Sequence, residues 1–295
     1  MSQPVTTRPA VLVARAIFPD IIEQLSRHFD VEANPDDALW PREELVRRLQ
    51  GKQGVFTTGS ERIDAALLAQ CPGLRICANM AVGYNNFDLP AMTAAGVLAT
   101  NAPGVLTETT ADMGFALLMA AARRVTEGEH FLRAGRWDRW AYDMLIGQDV
   151  HGSTLGIIGM GRIGQAIARR GALGFGMRVI YHNRSRLPEA DEAAVGARYV
   201  SKQELLRTAD HVMLVVPYSA ESHHIIGAAG LDVFEGEPRV HPELLACRNV
   251  VLTPHIGSAT VPTRRAMARL AADNLIGYLL HGKPLTPLNP QVATA

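Results

Sequence analysis

A chain of 295 residues, 47% hydrophobic and 20% charged, has an ordinary globular composition and is long enough for two domains. Lys plus Arg and Asp plus Glu stand at 29 each, so no global field draws the chain to nucleic acid or to an anionic membrane. Three cysteines, Cys71, Cys77 and Cys247, make neither a disulfide framework nor a metal quartet; they read as reduced thiols of a cytoplasmic protein, and no metal site is expected.

The start, MSQPVTTRPAVLVARAIF, carries no signal-peptide pattern, because Arg15 interrupts a short apolar run that suits a first strand. AVLVA, FDVEAN, GVFTT, LRICANM and VLATN are strand-like runs, separated by PDIIEQLSRHF, PREELVRRLQ, IDAALLAQC and LPAMTAAG with helical spacing. Pro41 and Asp64 suit helix starts. This alternation predicts a doubly wound parallel sheet. TETTADMGFALLMAAARRVTEGEHFLRAG (107–135) then reads as a long helical stretch, apolar nearly all round in its middle and closing at Gly135. Its apolar run at 113–122 is too short to span a membrane.

A second α/β series begins at STLGIIGMGRIG. TLGII, MRVIYHN and HVMLVV read as strands, IGQAIARRGALGF and SKQELLRTA as helices, and GLDVF and VVLTPH as the last strands. VPTRRAMARLAADNLIGYLLHG is long enough to return to the first domain. The fold class is therefore α/β, with two doubly wound parallel-sheet domains of Rossmann or flavodoxin-like type. One join is anomalous. Parallel neighbours need a crossover of a dozen or more residues, usually helical, yet YSAESHHIIGAA (218–229) has no helical stripe.

LGIIGMGRIGQAIARR holds Gly159-x-Gly161-x-x-Gly164 after a strand and at the opening of a helix, the context in which this spacing binds a dinucleotide. Gly159 permits the tight turn, Gly161 lets a pyrophosphate approach, and Gly164 allows close helix–strand packing. Arg162 and Ile163 lie at the helix N-terminus that faces the anion. The next strand ends in YHNRSR. Where NAD sites place a carboxylate for the ribose hydroxyl, this chain has Asn183, then Arg184 and Arg186, which can pair with a 2′-phosphate. NADP(H) is expected over NAD(H). Glu237 in LDVFEGEP and His255 in VLTPHIGSAT each follow a strand end, where open α/β sheets bind ligands. Such a pair fixes the imidazole tautomer and can protonate a ketone oxygen as hydride arrives.

Together TTGSERID, NMAVGYNNFDL, NAPGVLTETTADMGFALLMAAARR, GIIGMGRIG, YHNRSR, LVVPYSAESHHIIG, GLDVFEGEP and TPHIGSAT resemble the D-isomer-specific 2-hydroxyacid dehydrogenases, in their glyoxylate/hydroxypyruvate reductase and 2-ketogluconate reductase branch. The resemblance implies a substrate domain of residues 1–102 plus 263–295, an NADP(H)-binding domain of residues 103–262, and an active site in the cleft. It implies reduction of a small 2-oxo acid, with His255 as proton donor and Glu237 as its partner. It also implies that the backbone of Ala81, Val82 and Gly83 holds the substrate carboxylate, that Thr107 and Pro217 contact the cofactor, and that Asp232 binds the nicotinamide carboxamide. Dimerisation through the 107–135 region follows from the same likeness; no nucleic-acid or membrane partner does.

The departure from the family explains the anomalous join. Between HHIIG and GLDVF the family carries a helix, a strand ending in a motif like N-x-x-R-G-x-x-V-D, and another helix; here that segment, with the arginine that binds the 2-oxo acid, is absent. The cofactor sheet is thus expected to lack one strand. The alternative reading is a non-catalytic remnant that binds NADP(H) or pairs with an intact paralogue through the long helix.

Overall fold

In the computed structural model, the structure describes residues 8–216, 230–234, 237–246 and 250–293. The chain forms two compact units, Met1–Val105 with Val261–Ala295, and Leu106–Thr260. Pro217 and the anomalous join at 218–229 lie outside the described residues, as does Cys247.

The first unit alternates β1 (Ala10–Val13), α1 (Pro19–Ser26), β2 (Asp30–Ala33), α2 (Arg42–Leu49), β3 (Gly54–Thr57), α3 (Ala65–Leu68), β4 (Ile76–Asn79), α4 (Leu89–Ala94) and β5 (Leu98–Thr100). All strand pairs are parallel, in the order β2-β1-β3-β4-β5, the doubly wound flavodoxin-like order. Helices on both faces account for the continuous burial of β3, β4 and β5, since such strands have no solvent face to alternate toward. Two helix starts are fixed by side chains: Asp64 accepts from the Leu67 N–H at 3.1 Å and Asp88 from the Ala91 N–H at 3.0 Å. Pro41 precedes α2, as its sequence context predicts. Cys71 and Cys77 are free thiols buried in this core, beside Leu12, Val55 and Ala99.

The second unit opens with α5 (Thr107–Ala122) and α6 (Val125–Arg133). The sequence predicts one continuous helix here, and the structure corrects that. Arg124 takes a left-handed φ of 53°, with its guanidinium paired to Glu127 at 2.8 Å. The chain returning at Gly147 crosses so closely that a Cβ there would fall 2.3 Å from the Ala122 carbonyl, and Gln148 N–H donates to that carbonyl at 2.9 Å. The carbonyl that would extend the helix is thereby taken.

Then come β6 (Thr154–Ile158), α7 (Arg162–Arg169), β7 (Arg178–His182), α8 (Glu189–Ala193), β8 (Arg198–Tyr199), α9 (Lys202–Thr208) and β9 (His211–Leu214). These strands form a parallel sheet in the order β8-β7-β6-β9, which is the 3-2-1-4 order of a dinucleotide-binding sheet. The order reverses between β6 and β9, so the switch point falls at the turn after β6. The remaining strands, β10 (Gly230–Leu231) and β11 (Val251–Leu252), flank α10 (Pro242–Ala246). They make a separate two-stranded parallel pair; among the described residues neither joins β9. The sequence predicts longer strands at GLDVF and VVLTPH than the two-residue strands observed. Helix α5 packs on this pair so closely that a Cβ at Gly230 would lie 2.7 Å from Leu117 Cβ. The last helix, α11 (Val261–His281), belongs to the first unit and packs there with β3, β4 and α1.

Candidate functional site

In the second unit the three glycines of the loop after β6 differ in what constrains them. Gly159 has φ 99°, and a Cβ there would lie 2.3 Å from the Val215 carbonyl oxygen, just past β9. A Cβ on Gly164 would lie 2.4 Å from the Gly159 oxygen, so only glycine lets α7 sit this close to the turn. At Gly161 a Cβ would meet nothing within 4 Å. Among the described residues no atom requires glycine there. The space beside it is a cradle at the N-terminus of α7, where Arg162 and Ile163 begin the helix, and it fits the pyrophosphate of a dinucleotide.

The turn after β7 is tied to this loop. Asn183 Oδ1 accepts the Met160 N–H at 2.7 Å, and its backbone oxygen accepts from the Tyr199 hydroxyl at 3.1 Å. Asn183 thus braces the glycine loop, a role its position in YHNRSR does not reveal. The two arginines of the turn part company. Arg186 is held on both edges by Glu192, Nε to Oε1 at 2.9 Å and Nη2 to Oε2 at 2.7 Å; both arginines are exposed, but Arg184 pairs with no described residue. Arg186 pushes the Glu192 carboxyl down to about 2, with the Tyr181 hydroxyl as the second cause.

Thr107 opens α5, half-buried. Asp232, just after β10, is a hub. Its Oδ1 accepts from Thr253 Oγ1 at 2.6 Å and the Ile256 N–H at 2.8 Å, and its Oδ2 accepts the Gly257 N–H at 2.7 Å. A carboxylate offers about four acceptor sites, so among the described residues one on Oδ2 stays available to a donor such as a carboxamide. Thr253, Ile256 and Gly257 bracket His255, and Asp232 thereby shapes the segment that carries the imidazole.

His255 takes a left-handed φ of 52° and is 62% exposed at its side chain. Its Nδ1 lies 2.7 Å from Glu237 Oε2, while Glu237 Oε1 accepts the Phe234 N–H at 2.8 Å. The carboxylate is anchored on one oxygen and orients the ring with the other, which makes Nδ1 the donor to Glu237 and leaves Nε2 with no partner among the described residues.

In the first unit the loop after β4 has its carbonyls fastened. Ala81 O accepts the Ala102 N–H at 2.9 Å, Val82 O accepts from Asn101 Nδ2 at 2.8 Å, and Gly83 O accepts from Asn79 Nδ2 at 2.9 Å. The N–H groups of these three residues donate to no described residue. A run of free backbone N–H groups at the C-terminal end of a parallel strand suits an anion. Asn79 and Asn101 fasten this loop, and the sequence does not single them out; their signal is an amide at the end of a buried strand.

Among the described residues no cluster of His, Cys, Asp or Glu has a metal-binding arrangement, and no helix is long and apolar enough to cross a membrane.

Comparison with known proteins gives a coherent picture. The family model described as "D-isomer specific 2-hydroxyacid dehydrogenase, NAD binding domain" matches residues 115–229 and 225–257, in two pieces that meet at 225–229. The chain is 42% identical to the glyoxylate reductase of Thermococcus kodakarensis over 326 residues, covering 97% of each protein. That span exceeds the 295 residues of this chain by 31, so the comparison opens gaps in it. Among solved structures, the TT0316 protein of Thermus thermophilus matches with a TM-score of 0.85 at 38% identity, over 95% of this chain and 99% of that one. An NADPH-dependent glyoxylate/hydroxypyruvate reductase of Sinorhizobium meliloti, in complex with NADP and malonate, matches with a TM-score of 0.83 at 31% identity, over 96% and 97% of the two chains.

Proposed function

This chain belongs to the D-isomer-specific 2-hydroxyacid dehydrogenase family, and from that premise we propose that it reduces a small 2-oxo acid, glyoxylate or hydroxypyruvate, to the D-2-hydroxy acid with NADPH. 2-Ketogluconate is the larger substrate of the same class. The observation that carries the reading is the His255–Glu237 pair, held at 2.7 Å on the segment that Asp232 organises.

NADPH, when bound, supplies the hydride for C2 of the 2-oxo acid. The Gly161 cradle and the N-terminus of α7 would take its pyrophosphate, the turn at Asn183–Arg186 its 2′-phosphate, and Thr107 and Asp232 would orient the rest. The N–H groups of Ala81, Val82 and Gly83 hold the substrate carboxylate. His255 gives the proton on Nε2 to the carbonyl oxygen as it gains charge, and Glu237 keeps Nδ1 as its donor throughout, so the ring cannot swap tautomers. The chain works as a homodimer, and the exposed Leu132, Trp137, Trp140 and Tyr142, on and after α6, support that reading.

A second reading has its own support. The family match breaks at 225–229, and the 42% relative requires gaps in this chain. We place the missing residues at that break, which removes the family's substrate arginine. The chain would then bind NADP(H) without turnover.

The experiment is NADPH consumption by the purified, folded chain with glyoxylate and with hydroxypyruvate, for wild type and His255→Ala. Turnover that falls about 10²–10⁴-fold in His255→Ala supports the reductase. Folded protein that binds NADPH and turns over neither acid leaves the binding-only reading.

A further inference from the structure

We infer that cofactor selectivity in this chain is set by a lock beneath the 183–187 turn, in which Tyr181 and Glu192 immobilise Arg186 and leave Arg184 to read the 2′-phosphate. The inference rests on the NADPH reading above and divides a pair of arginines that the sequence treats alike.

The lock is built from buried parts. Tyr181, near the end of β7, is fully buried, and the side chain of Glu192, on α8, is 8% exposed. The Tyr181 hydroxyl donates to Glu192 Oε1 at 2.6 Å and accepts the Leu187 N–H at 2.8 Å. Glu192 closes on Arg186 through Nε and Nη2, at 2.9 and 2.7 Å. At the other end of the turn, Asn183 is fastened by Met160 and Tyr199. The turn is thus pinned at 183, 186 and 187; residues 184–186 are all exposed, and of them Arg184 and Ser185 lie between the pins.

The chemistry then separates the two guanidinium groups. Arg186 has spent its best fork on a carboxylate that is nearly dry. Moving Arg186 to a phosphate would strand that carboxylate with only the Tyr181 hydroxyl, and an unpaired buried charge is costly. Arg184 pairs with no described residue, and its neighbour Asn183 is hydrogen-bonded to the glycine loop. A phosphate next to the cradle therefore meets Arg184 with its full fork available. Arg186, Glu192 and Tyr181 are positioning residues that hold Arg184 in place.

The test measures dissociation constants of NADPH and NADH by calorimetry on the purified full chain, with a thermal melt for each variant. Arg184→Ala should weaken NADPH by about 10- to 100-fold and move NADH less than about twofold. Glu192→Gln and Arg186→Leu should each weaken NADPH by about fivefold, and the double variant should be no worse than either, because both break one lock. If Glu192→Gln leaves NADPH unchanged or binds it more tightly, or if Arg186→Leu loses as much as Arg184→Ala, then Arg186 is the reader and the inference is overturned. Should Glu192→Gln fail to fold, Tyr181→Phe removes only the hydroxyl. A fall in the NADPH-to-NADH preference supports the lock, and an unchanged preference overturns it. A wild-type chain that prefers NADH would instead sink the NADPH reading itself, a result visible before any variant is made.

Discussion

Two glycine-to-alanine substitutions, three residues apart, should have opposite effects. At Gly161 the backbone is extended, with φ −78° and ψ −162°, a conformation that alanine adopts without strain, and the added methyl would meet no atom of the described residues within 4 Å. Alanine there should stabilise the fold slightly, by about 0.4–1 kcal/mol, because it restricts the unfolded chain. That corresponds to a melting temperature raised by about 1–4 °C. The same methyl occupies the cradle proposed for the pyrophosphate. Forcing a methyl into a packed contact costs about 1–3 kcal/mol, so NADPH should bind about 5- to 150-fold more weakly. At Gly164 the methyl would lie 2.4 Å from the Gly159 oxygen, a backbone atom on a tight turn, so the turn must shift. That substitution should cost about 1–3 kcal/mol of stability and lower the melting temperature by about 2–12 °C. The assay is a thermal melt without ligand together with NADPH titration followed by fluorescence. Wild-type NADPH affinity in Gly161→Ala would refute the cradle. A Gly161→Ala protein that melts as low as Gly164→Ala would refute the claim that this position has room for a methyl.

Asp232→Ala removes a carboxylate that receives three hydrogen bonds and should lower stability by about 1.5–3 kcal/mol, read in denaturant melts; an unchanged midpoint would mean that the 253–257 segment holds its shape without this hub. Asn79→Ala frees the Gly83 carbonyl and should raise the KM for the 2-oxo acid by about fivefold, with NADPH affinity unchanged; equal losses in both would point to general unfolding instead. Glu192 has its carboxyl held at about 2 in the folded chain, below the ordinary range of about 4.3 that it regains on unfolding. Its contribution to stability is therefore present above about pH 4.3 and lost as pH falls toward 2. Melts of Glu192→Gln should show a flatter decline than wild type between pH 5 and 2, and parallel curves would count against the Arg186 pairing.

Residue patterns disclose these features unevenly, for physical reasons. The first unit was legible because its signals are local. Apolar strand runs alternate with capped helices, and Asp64 caps α3 by contacts only three residues away. The glycine loop was legible for the same reason, since its glycines fall at fixed short spacing and Gly164 is constrained by Gly159 itself. The break between α5 and α6 was not legible. Its cause is Gln148 taking the Ala122 carbonyl, a contact from 26 positions along the chain that no helical periodicity encodes.

The candidate site divides along the same line. His255 and Glu237 stand out in sequence because each follows a strand end, and 18 residues separate them into a hydrogen bond only once β10 and β11 pair in parallel. The supports around them are silent in sequence. Asp232 is marked in GLDVF only by the family resemblance, and nothing in the sequence shows that its two oxygens gather Thr253, Ile256 and Gly257. Arg184 and Arg186 are the sharpest case. They are the same residue type on one turn, equal by any rule that reads charge near a cofactor strand. What separates them is a tyrosine near the end of a buried strand and a glutamate one helical turn into the next element, which together consume one fork and leave the other. A site that depends on which of two identical groups is free can be read only after the hydrogen bonds of the other have been counted.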